Sequence, residues 1–385
     1  MGADQTTRGK GQGMQDSLAL DGRFMRDALA MGRRNLGLAW PNPAVGAVLV
    51  DPRNHVILGR GATQPGGRPH AEVVALARAG DAARGATLYV TLEPCSHVGR
   101  TGPCADAIIA AGVARVVSAI EDPNPLVAGL GHGRLREAGV EVLIGVGAEQ
   151  ARRDHIGHFT RVREGRPAVL LKLAQTRDGV AGRRHGPRLM ITGNETRARV
   201  HLMRARADVI LAGVNTILAD DPDLTVRLPG MEAMSPVRVV LDSMLRTPPA
   251  ARIVQDAGRV PTWIITAEHA PVAPEIALAR AGVEVMRVGA DAGGRPDLAL
   301  ALQLLGTRGV TRVFCEGGPA LAGALAAARL VEEVALFTGP SDYDGPPDQG
   351  VAAVGPQLRT ALDAMGLVET ETVGDDALQI FERVS

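Results

Sequence analysis

Two α/β domains in tandem are what this sequence predicts, and three observations predict them. Apolar runs of strand length alternate with helical periodicities from residue 21 to 147; the alternation stops across a charged stretch at 148–166; it restarts at Ala168. Alternating strands and helices build layered α/β domains. A chain of 385 residues accommodates two domains at roughly 100–200 residues each.

In chain order, residues 1–18 are polar and Gly-rich and read as a flexible tail. Asp21 stands where it can cap a helix carrying Phe24, Ala28, Leu29 and Met31. Pro41-Asn42-Pro43 is a rigid turn, and Val45–Val50 followed by Val56–Leu58 reads as a hairpin. A Gly/Pro loop from Gly61 to Pro69 leads into a helix over Ala71–Ala79. Ala86–Thr91, Val113–Ile120 and Val140–Val146 read as strands, with a helix at Ala105–Ala111. The first domain is therefore expected at 19–147, a linker at 148–166 and a second domain at 167–385. In the second, strands are expected at Ala168–Ala174, Val209–Gly213, Val237–Leu241, Thr262–Thr266, Val283–Val288 and Thr311–Cys315. Thr192-Gly193-Asn194-Glu195 fits a capping box opening a helix to Ala205. Further helices are expected at Asp297–Leu305 and Ala320–Arg329.

Composition narrows the function. Lys+Arg and Asp+Glu balance at 42 each and aromatics are 2% of the chain; this argues against a phosphate-backbone binder, whose affinity rests on excess positive charge. Three cysteines in so long a chain make no disulfide framework and suit a reducing compartment, so a cytoplasmic protein is expected. No apolar run has signal-peptide or membrane-spanning length. No Walker loop is present, and Gly145-Val146-Gly147 has Gln150 where a dinucleotide fingerprint needs Gly or Ala, so it reads as a domain exit.

The chemistry-bearing residues of the first half sit at element ends. His70-Ala71-Glu72 lies where a loop becomes a helix, Pro94-Cys95 follows a strand, and Pro103-Cys104 begins a helix. One His and two Cys suit tetrahedral zinc with a position left for water. Zinc lowers the pKa of bound water to about 7, and Glu72 stands where it can move protons between water and a leaving amine. This is the His-x-Glu … Pro-Cys pattern of zinc deaminases. The thiols stand far apart, with Cys95-Ser96-His97-Val98-Gly99-Arg100-Thr101-Gly102-Pro103-Cys104 between and including them; a longer loop still closes on one ion, because closure entropy grows slowly with length. His97 reads as a substrate contact, the alternative being a fourth ligand that would block catalysis.

That loop carries a family resemblance. With Pro41-Asn42-Pro43-Ala44-Val45-Gly46-Ala47-Val48, Gly67-Arg68-Pro69-His70-Ala71-Glu72, Glu93-Pro94-Cys95 and Asp122-Pro123-Asn124-Pro125, the first half resembles the bifunctional riboflavin-biosynthesis deaminase–reductases. The second half resembles them through Leu171 to Gly179, Ile191-Thr192-Gly193, Arg197 to Arg206, Thr216 to Arg227, and Glu316-Gly317-Gly318-Pro319. The resemblance implies a cytidine-deaminase-like three-layer domain followed by a dihydrofolate-reductase-like α/β domain, with Zn2+ and NADPH as cofactors. It implies deamination of a ribosylated diaminopyrimidinone 5′-phosphate, then reduction of the ribosyl unit to ribityl.

Residue by residue, it implies that Asn42 binds the pyrimidine ring and that Arg204, Leu224, Arg227 and Glu316 bind substrate. Arg188 falls where the family often has a substrate-binding Ser, and Lys172 reads as a substrate contact, a proton donor or an ion-pair partner. Ala174, Thr216, Asp220 and Ser243 match NADPH positions, and Met190 stands where some members have Trp against the cofactor. Gly318, Pro319, Ala320, Leu321, Ala322, Gly323 and Ala324 open a helix after a strand and are expected to face the NADPH phosphates. Cys315 reads as a plain buried residue. The chain departs from the family at Gly102, at Thr176-Arg177 and at Gly193. A homo-oligomer through the reductase domain is expected, with no nucleic-acid or membrane partner. Two other readings remain open at this point, a nucleoside or tRNA deaminase with an accessory domain and a zinc-stabilised scaffold without turnover.

Overall fold

The computed structural model describes residues 5–97, 102–185 and 189–384. Two compact units divide the chain at Glu164/Gly165.

The first unit runs α1 (Gln5–Arg33), β1 (Gly46–Val50), β2 (Ile57–Ala62), α2 (Ala71–Ala79), β3 (Thr87–Val90), α3 (Cys104–Ala110), β4 (Arg115–Ser118), α4 (Leu130–Glu137), β5 (Glu141–Ile144), α5 (Ala148–Asp154) and α6 (Ile156–Glu164). Its sheet has the order β2-β1-β3-β4-β5; β1 is antiparallel to both neighbours, and β3, β4 and β5 are parallel. Alternation along β1 sorts the core into two clusters. Val48 and Val50 pack with Phe24, Met25, Ala28 and Leu29 of α1 and with Ala151 of α5. Ala47 and Leu49 pack with Ala71 and Ala75 of α2, Ala105 and Ile108 of α3, and Leu135 of α4. A helical layer thus covers each face, giving the expected three layers.

Three local expectations are corrected. The backbone of the expected tail is helical from Gln5 and continuous with α1. Asp21 is not a cap but a buried residue inside α1; it accepts from Tyr89 Oη at 2.8 Å and from both Arg115 Nη atoms at 2.8 and 2.9 Å. The expected linker forms α5 and α6, and both belong to the first unit. Ala151, His155 and Phe159 recur every four residues and are buried, so the abundant charge of this stretch is only its outer face. Gly145-Val146-Gly147 accordingly leads into α5 and not out of the domain.

The second unit comprises β6 (Ala168–Gln175), β7 (Val180–Arg183), α7 (Asn194–Ala205), β8 (Val209–Gly213), α8 (Val214–Asp220), β9 (Val237–Leu241), α9 (Arg252–Gln255), β10 (Thr262–Ala267), α10 (Val272–Arg280), β11 (Glu284–Val288), α11 (Leu298–Thr307), β12 (Arg312–Cys315), α12 (Gly318–Ala327), β13 (Glu333–Thr338), β14 (Gly350–Ala352), α13 (Pro356–Asp363), β15 (Met365–Val373) and β16 (Asp376–Arg383). Nine strands form one sheet in the order β11-β10-β9-β8-β12-β6-β13-β16-β15, parallel as far as β13 and antiparallel beyond it. The strand β13 and the closing β15–β16 hairpin were not expected from sequence. The capping box is also corrected. Helix α7 begins at Asn194 without a side-chain cap of its own, and the Gly193 N–H donates to Asp376 Oδ2 at 2.8 Å.

Candidate functional site

In the first unit, His70 is the N-cap residue of α2 and Glu72 lies in its first turn. Cys95 follows β3 by a few residues, and Cys104 is the first residue of α3 behind an extended Pro103. His70 Nδ1 lies 3.2 Å from Cys104 Sγ and 3.7 Å from Cys95 Sγ, and the three candidate ligand atoms fall within 4.8 Å of one another. Tetrahedral Zn–S and Zn–N bonds place their ligand atoms roughly 3.6 Å apart, so the donor set fits zinc in both chemistry and spacing. The Cys104 N–H donates to Cys95 Sγ at 3.3 Å. Hydrogen bonding from Cys104, opposed by burial and helped by His70, holds the Cys95 thiol down at about 4. Glu72 is buried beside this group, and burial pushes its carboxyl above the ordinary range.

Asn42 closes another side. Its Nδ2 donates to Gly67 O at 2.9 Å and lies 3.3 Å from His70 Nε2. Gly67 has φ +87°, and a Cβ there would fall 2.8 Å from Asn42 Cγ, so a side chain at 67 would displace the amide. His97 is exposed and is not one of the three clustered donors. A second group, Glu93, Glu121 and His132, also has metal-like spacing. Glu93 is already committed, however. Its Oε1 accepts from the N–H groups of Gly131 and His132 and its Oε2 from those of Asp122 and Gly129, at 2.9 to 3.2 Å. Four bonds use all the lone-pair directions of a carboxylate, so Glu93 organises the loop behind Cys95 and has none left for a cation.

In the second unit the expected cofactor positions follow four adjacent strands of the sheet. Ala174 is near the end of β6, Thr216 and Asp220 are on α8 after β8, Ser243 follows β9, and Gly318 to Ala324 open α12 after β12. The carboxyl ends of parallel strands are where ligands settle in open α/β sheets. Gly318 has φ +74° with open space where a Cβ would project, which leaves the start of α12 approachable by a phosphate. Met190 is 62% exposed.

Arg204 on α7 and Glu316 after β12 pair with each other. Arg204 Nε and Nη2 reach the two carboxylate oxygens at 2.6 and 3.0 Å, and Nη1 donates to Thr225 O at 2.8 Å. Burial tends to raise the Glu316 carboxyl, but Arg204 and Lys172 hold it below its ordinary value. Arg227 lies 3.5 Å from Asp223, and Leu224 is buried with φ +50°. Cys315 is buried, and burial pushes its thiol up to about 12, as suits a packing residue. Arg188 lies outside the described residues.

Sequence reasoning gave no role to several residues that brace these sites. Arg161 of α6 donates to Pro41 O at 2.6 Å, next to Asn42, and His158 Nε2 lies 3.0 Å from Asp122 Oδ1. His201, one turn before Arg204 on the same face of α7, accepts from the Arg227 N–H. That i, i+3 spacing to an arginine already singled out was the available signal.

Comparison with known proteins covers both units. Residues 19–120 match the cytidine and deoxycytidylate deaminase zinc-binding region, and residues 167–373 match the RibD C-terminal domain. Riboflavin biosynthesis protein RibD of Escherichia coli (strain K12) is 42% identical over 332 residues, covering 83% of this chain and 88% of that protein. The Aquifex aeolicus (strain VF5) protein of the same name is 37% identical over 367 residues, covering 94% and 99%. Acinetobacter baumannii RibD superposes with a TM-score of 0.81 at 33% identity over 96% of this chain and all of that one. A Thermotoga maritima diaminohydroxyphosphoribosylaminopyrimidine deaminase/5-amino-6-(5-phosphoribosylamino)uracil reductase does so at 0.80 and 30%, with the same coverage. With a zinc-binding deaminase unit and a reductase unit in one polypeptide, this chain belongs to the family of the bifunctional riboflavin biosynthesis protein RibD.

Proposed function

We propose that the chain hydrolytically deaminates 2,5-diamino-6-ribosylamino-4(3H)-pyrimidinone 5′-phosphate and then reduces the ribosyl group of 5-amino-6-(5-phosphoribosylamino)uracil to ribityl. The observation that carries this reading is the convergence of His70, Cys95 and Cys104 within 4.8 Å beside a buried Glu72, in a chain of this family. Zinc and NADPH are the cofactors.

In the first step His70 Nδ1 and the Cys95 and Cys104 sulfurs would hold the zinc, which would supply a water acidified to a pKa of about 7. Glu72 takes a proton from the water and returns one to the departing amino group, so that water and substrate become ammonia and a ring carbonyl. Asn42 hydrogen-bonds the ring, and the exposed His97 touches substrate.

In the second step bound NADPH would supply the hydride for C1′ of the opened ribose. The backbone from Gly318 through Pro319, Ala320, Leu321, Ala322, Gly323 and Ala324 holds its phosphates, and Ala174, Met190, Thr216, Asp220 and Ser243 line its course. Arg227 and Arg188 bind the substrate with Leu224, Arg204 and Glu316. Lys172, whose charge acts on Glu316, contacts the substrate beside it.

The small-molecule reading extends to the setting. We read the protein as cytoplasmic and homo-oligomeric through its reductase domain, without nucleic-acid or membrane partners. A formal charge of zero weighs against a nucleic-acid partner, and among the described residues no helix is long and apolar enough to cross a membrane.

The test is a coupled assay on the purified chain with the diaminopyrimidinone substrate, following ammonia release and NADPH oxidation together. Both are expected, and a zinc chelator stops both, because the second reaction needs the product of the first. Ammonia release that survives complete removal of zinc would sink the deaminase assignment. Ammonia without NADPH oxidation would sink the reductase one.

A further inference from the structure

Residues 221–227 form a strap that follows α8 and carries Leu224 and Arg227. Its backbone is not relaxed. Asp221 and Leu224 sit at φ 39° and 50°, a region that L residues other than glycine enter at a cost and keep only when their surroundings hold them. The holds are visible. The Arg252 N–H donates to Asp221 Oδ1 at 2.9 Å, Arg238 Nη1 to Asp223 O at 3.3 Å, Arg204 Nη1 to Thr225 O at 2.8 Å, and the Val226 N–H to Ser235 Oγ at 3.0 Å. At the last position the Arg227 N–H donates to His201 Nδ1 at 3.3 Å. Of these holds, the His201 bond alone is made by a side chain that titrates near neutral pH.

We infer that His201 is a positioning residue for the phosphorylated substrate of the reductase, its unprotonated Nδ1 latching the Arg227 end of the strap and releasing it when protonated. This rests on the reading of Arg227 as a substrate-binding residue. A ring nitrogen that accepts from a backbone N–H cannot carry a proton, so the latch exists only in the neutral imidazole. The groups that face the ring decide when it is neutral. They are Arg204 from α7, Arg227 from the strap and Glu316 after β12, with Lys172 of β6 acting on Glu316 in turn. Burial first, then Arg204 and Arg227, push the His201 pKa down, against Glu316 and a hydrogen bond to the Thr225 backbone. The latch is therefore closed at neutral pH and is lost as pH falls through this lowered value.

The experiment measures the reductase step alone, on the full zinc-loaded chain with saturating NADPH and with 5-amino-6-(5-phosphoribosylamino)uracil supplied. KM and kcat are followed across pH for wild type, His201→Asn and His201→Leu. Asn places an acceptor near the position of Nδ1 that does not titrate, whereas Leu places none. At neutral pH, His201→Leu is expected to raise KM by about 5- to 10-fold, as the loss of one hydrogen bond implies, with kcat changed less. His201→Asn keeps KM near wild type and lacks the wild-type rise toward acid. The substrate phosphate ionises near pH 6 on its own account, and the contrast between variants removes that contribution because all three share it. A wild-type KM in His201→Leu, or an unchanged acid limb in His201→Asn, overturns the inference. NADPH binding checks that the second unit is folded; if the Leu variant fails that check, the acid limb of the Asn variant decides alone. Wild-type protein that oxidises no NADPH would overturn the functional reading and this inference together, whereas active wild type with unmoved variants overturns only the inference.

Discussion

The zinc cluster and the reductase site are assembled in different ways. The first draws its donors and its carboxylate from residues 70 to 104, each fixed at or beside the end of an element and all directed at a single point. The second spreads its positions from Lys172 to Ala324, over the ends of four strands and a strained strap. An ion demands a few donor types at set distances, so displacing one donor empties the site. A dinucleotide and a sugar phosphate are held by many modest contacts, several made by backbone, so each can weaken without the rest failing. Changes at the first site should therefore be nearly all-or-none, and changes at the second graded.

The largest effect is expected from Glu72→Gln. Glutamine keeps the shape but cannot move a proton, so ammonia release should fall by roughly 10²- to 10⁴-fold while the bound zinc, measured as metal content, stays near stoichiometric. NADPH oxidation should persist when the deaminated pyrimidine is supplied. If the variant keeps its ammonia release, or loses zinc along with activity, the separation of metal holding from proton transfer is wrong.

How far these sites were legible from sequence follows the same division. His70, Glu72, Cys95 and Cys104 could be read because metal chemistry restricts residue type as well as spacing. The nearby bracing could not. Glu93 appears in the same motif, but its four backbone partners lie between residues 122 and 132 and come together only in the fold. The stretch 148–166 was misread as a linker because its charges hide a buried every-fourth-residue stripe at Ala151, His155 and Phe159. The β15–β16 hairpin gave little signal because β15 lies at the sheet edge with exposed positions such as Leu367, Glu369 and Thr370. In the reductase unit the strands were plain from their apolar runs, whereas the cofactor positions came from resemblance. A residue such as Ala174 has no chemistry of its own that marks it.

Arg204→Met probes the second site at its most rigid point and is expected to be the next largest effect. It leaves the Glu316 carboxylate without its bidentate partner. Both side chains are nearly buried, at 11% and 12% exposure, and breaking such a pair from one side costs about 3–5 kcal/mol. The pH dependence separates charge from packing. In wild type the Glu316 carboxyl is held below its ordinary value, with burial opposing and Arg204 and Lys172 prevailing. The pair's contribution is thus present above the unfolded carboxyl's pKa and is lost as pH falls through the lowered folded one. Denaturant unfolding of the second unit should show a loss of stability on acidification in wild type that is much reduced in Arg204→Met. Parallel pH curves for the two proteins would mean that Arg204 acts through packing alone.

The smallest effect belongs to the surface of the same site. Met190 is 62% exposed, in the segment that leads into α7, at the position proposed to line the cofactor. Met190→Trp offers a large flat surface to the nicotinamide dinucleotide, and an aromatic contact of this kind is worth about 0.5–1.5 kcal/mol. The KM for NADPH should fall by roughly 2- to 10-fold, with kcat and ammonia release unchanged, because nothing in the reacting geometry moves. On the proposed reading, in which the backbone at the start of α12 holds the cofactor phosphates, a single exposed side chain tunes this site without emptying it. If NADPH affinity does not change, Met190 does not face the cofactor, and the segment from Leu189 to Gly193 serves to start α7 through the Gly193–Asp376 bond.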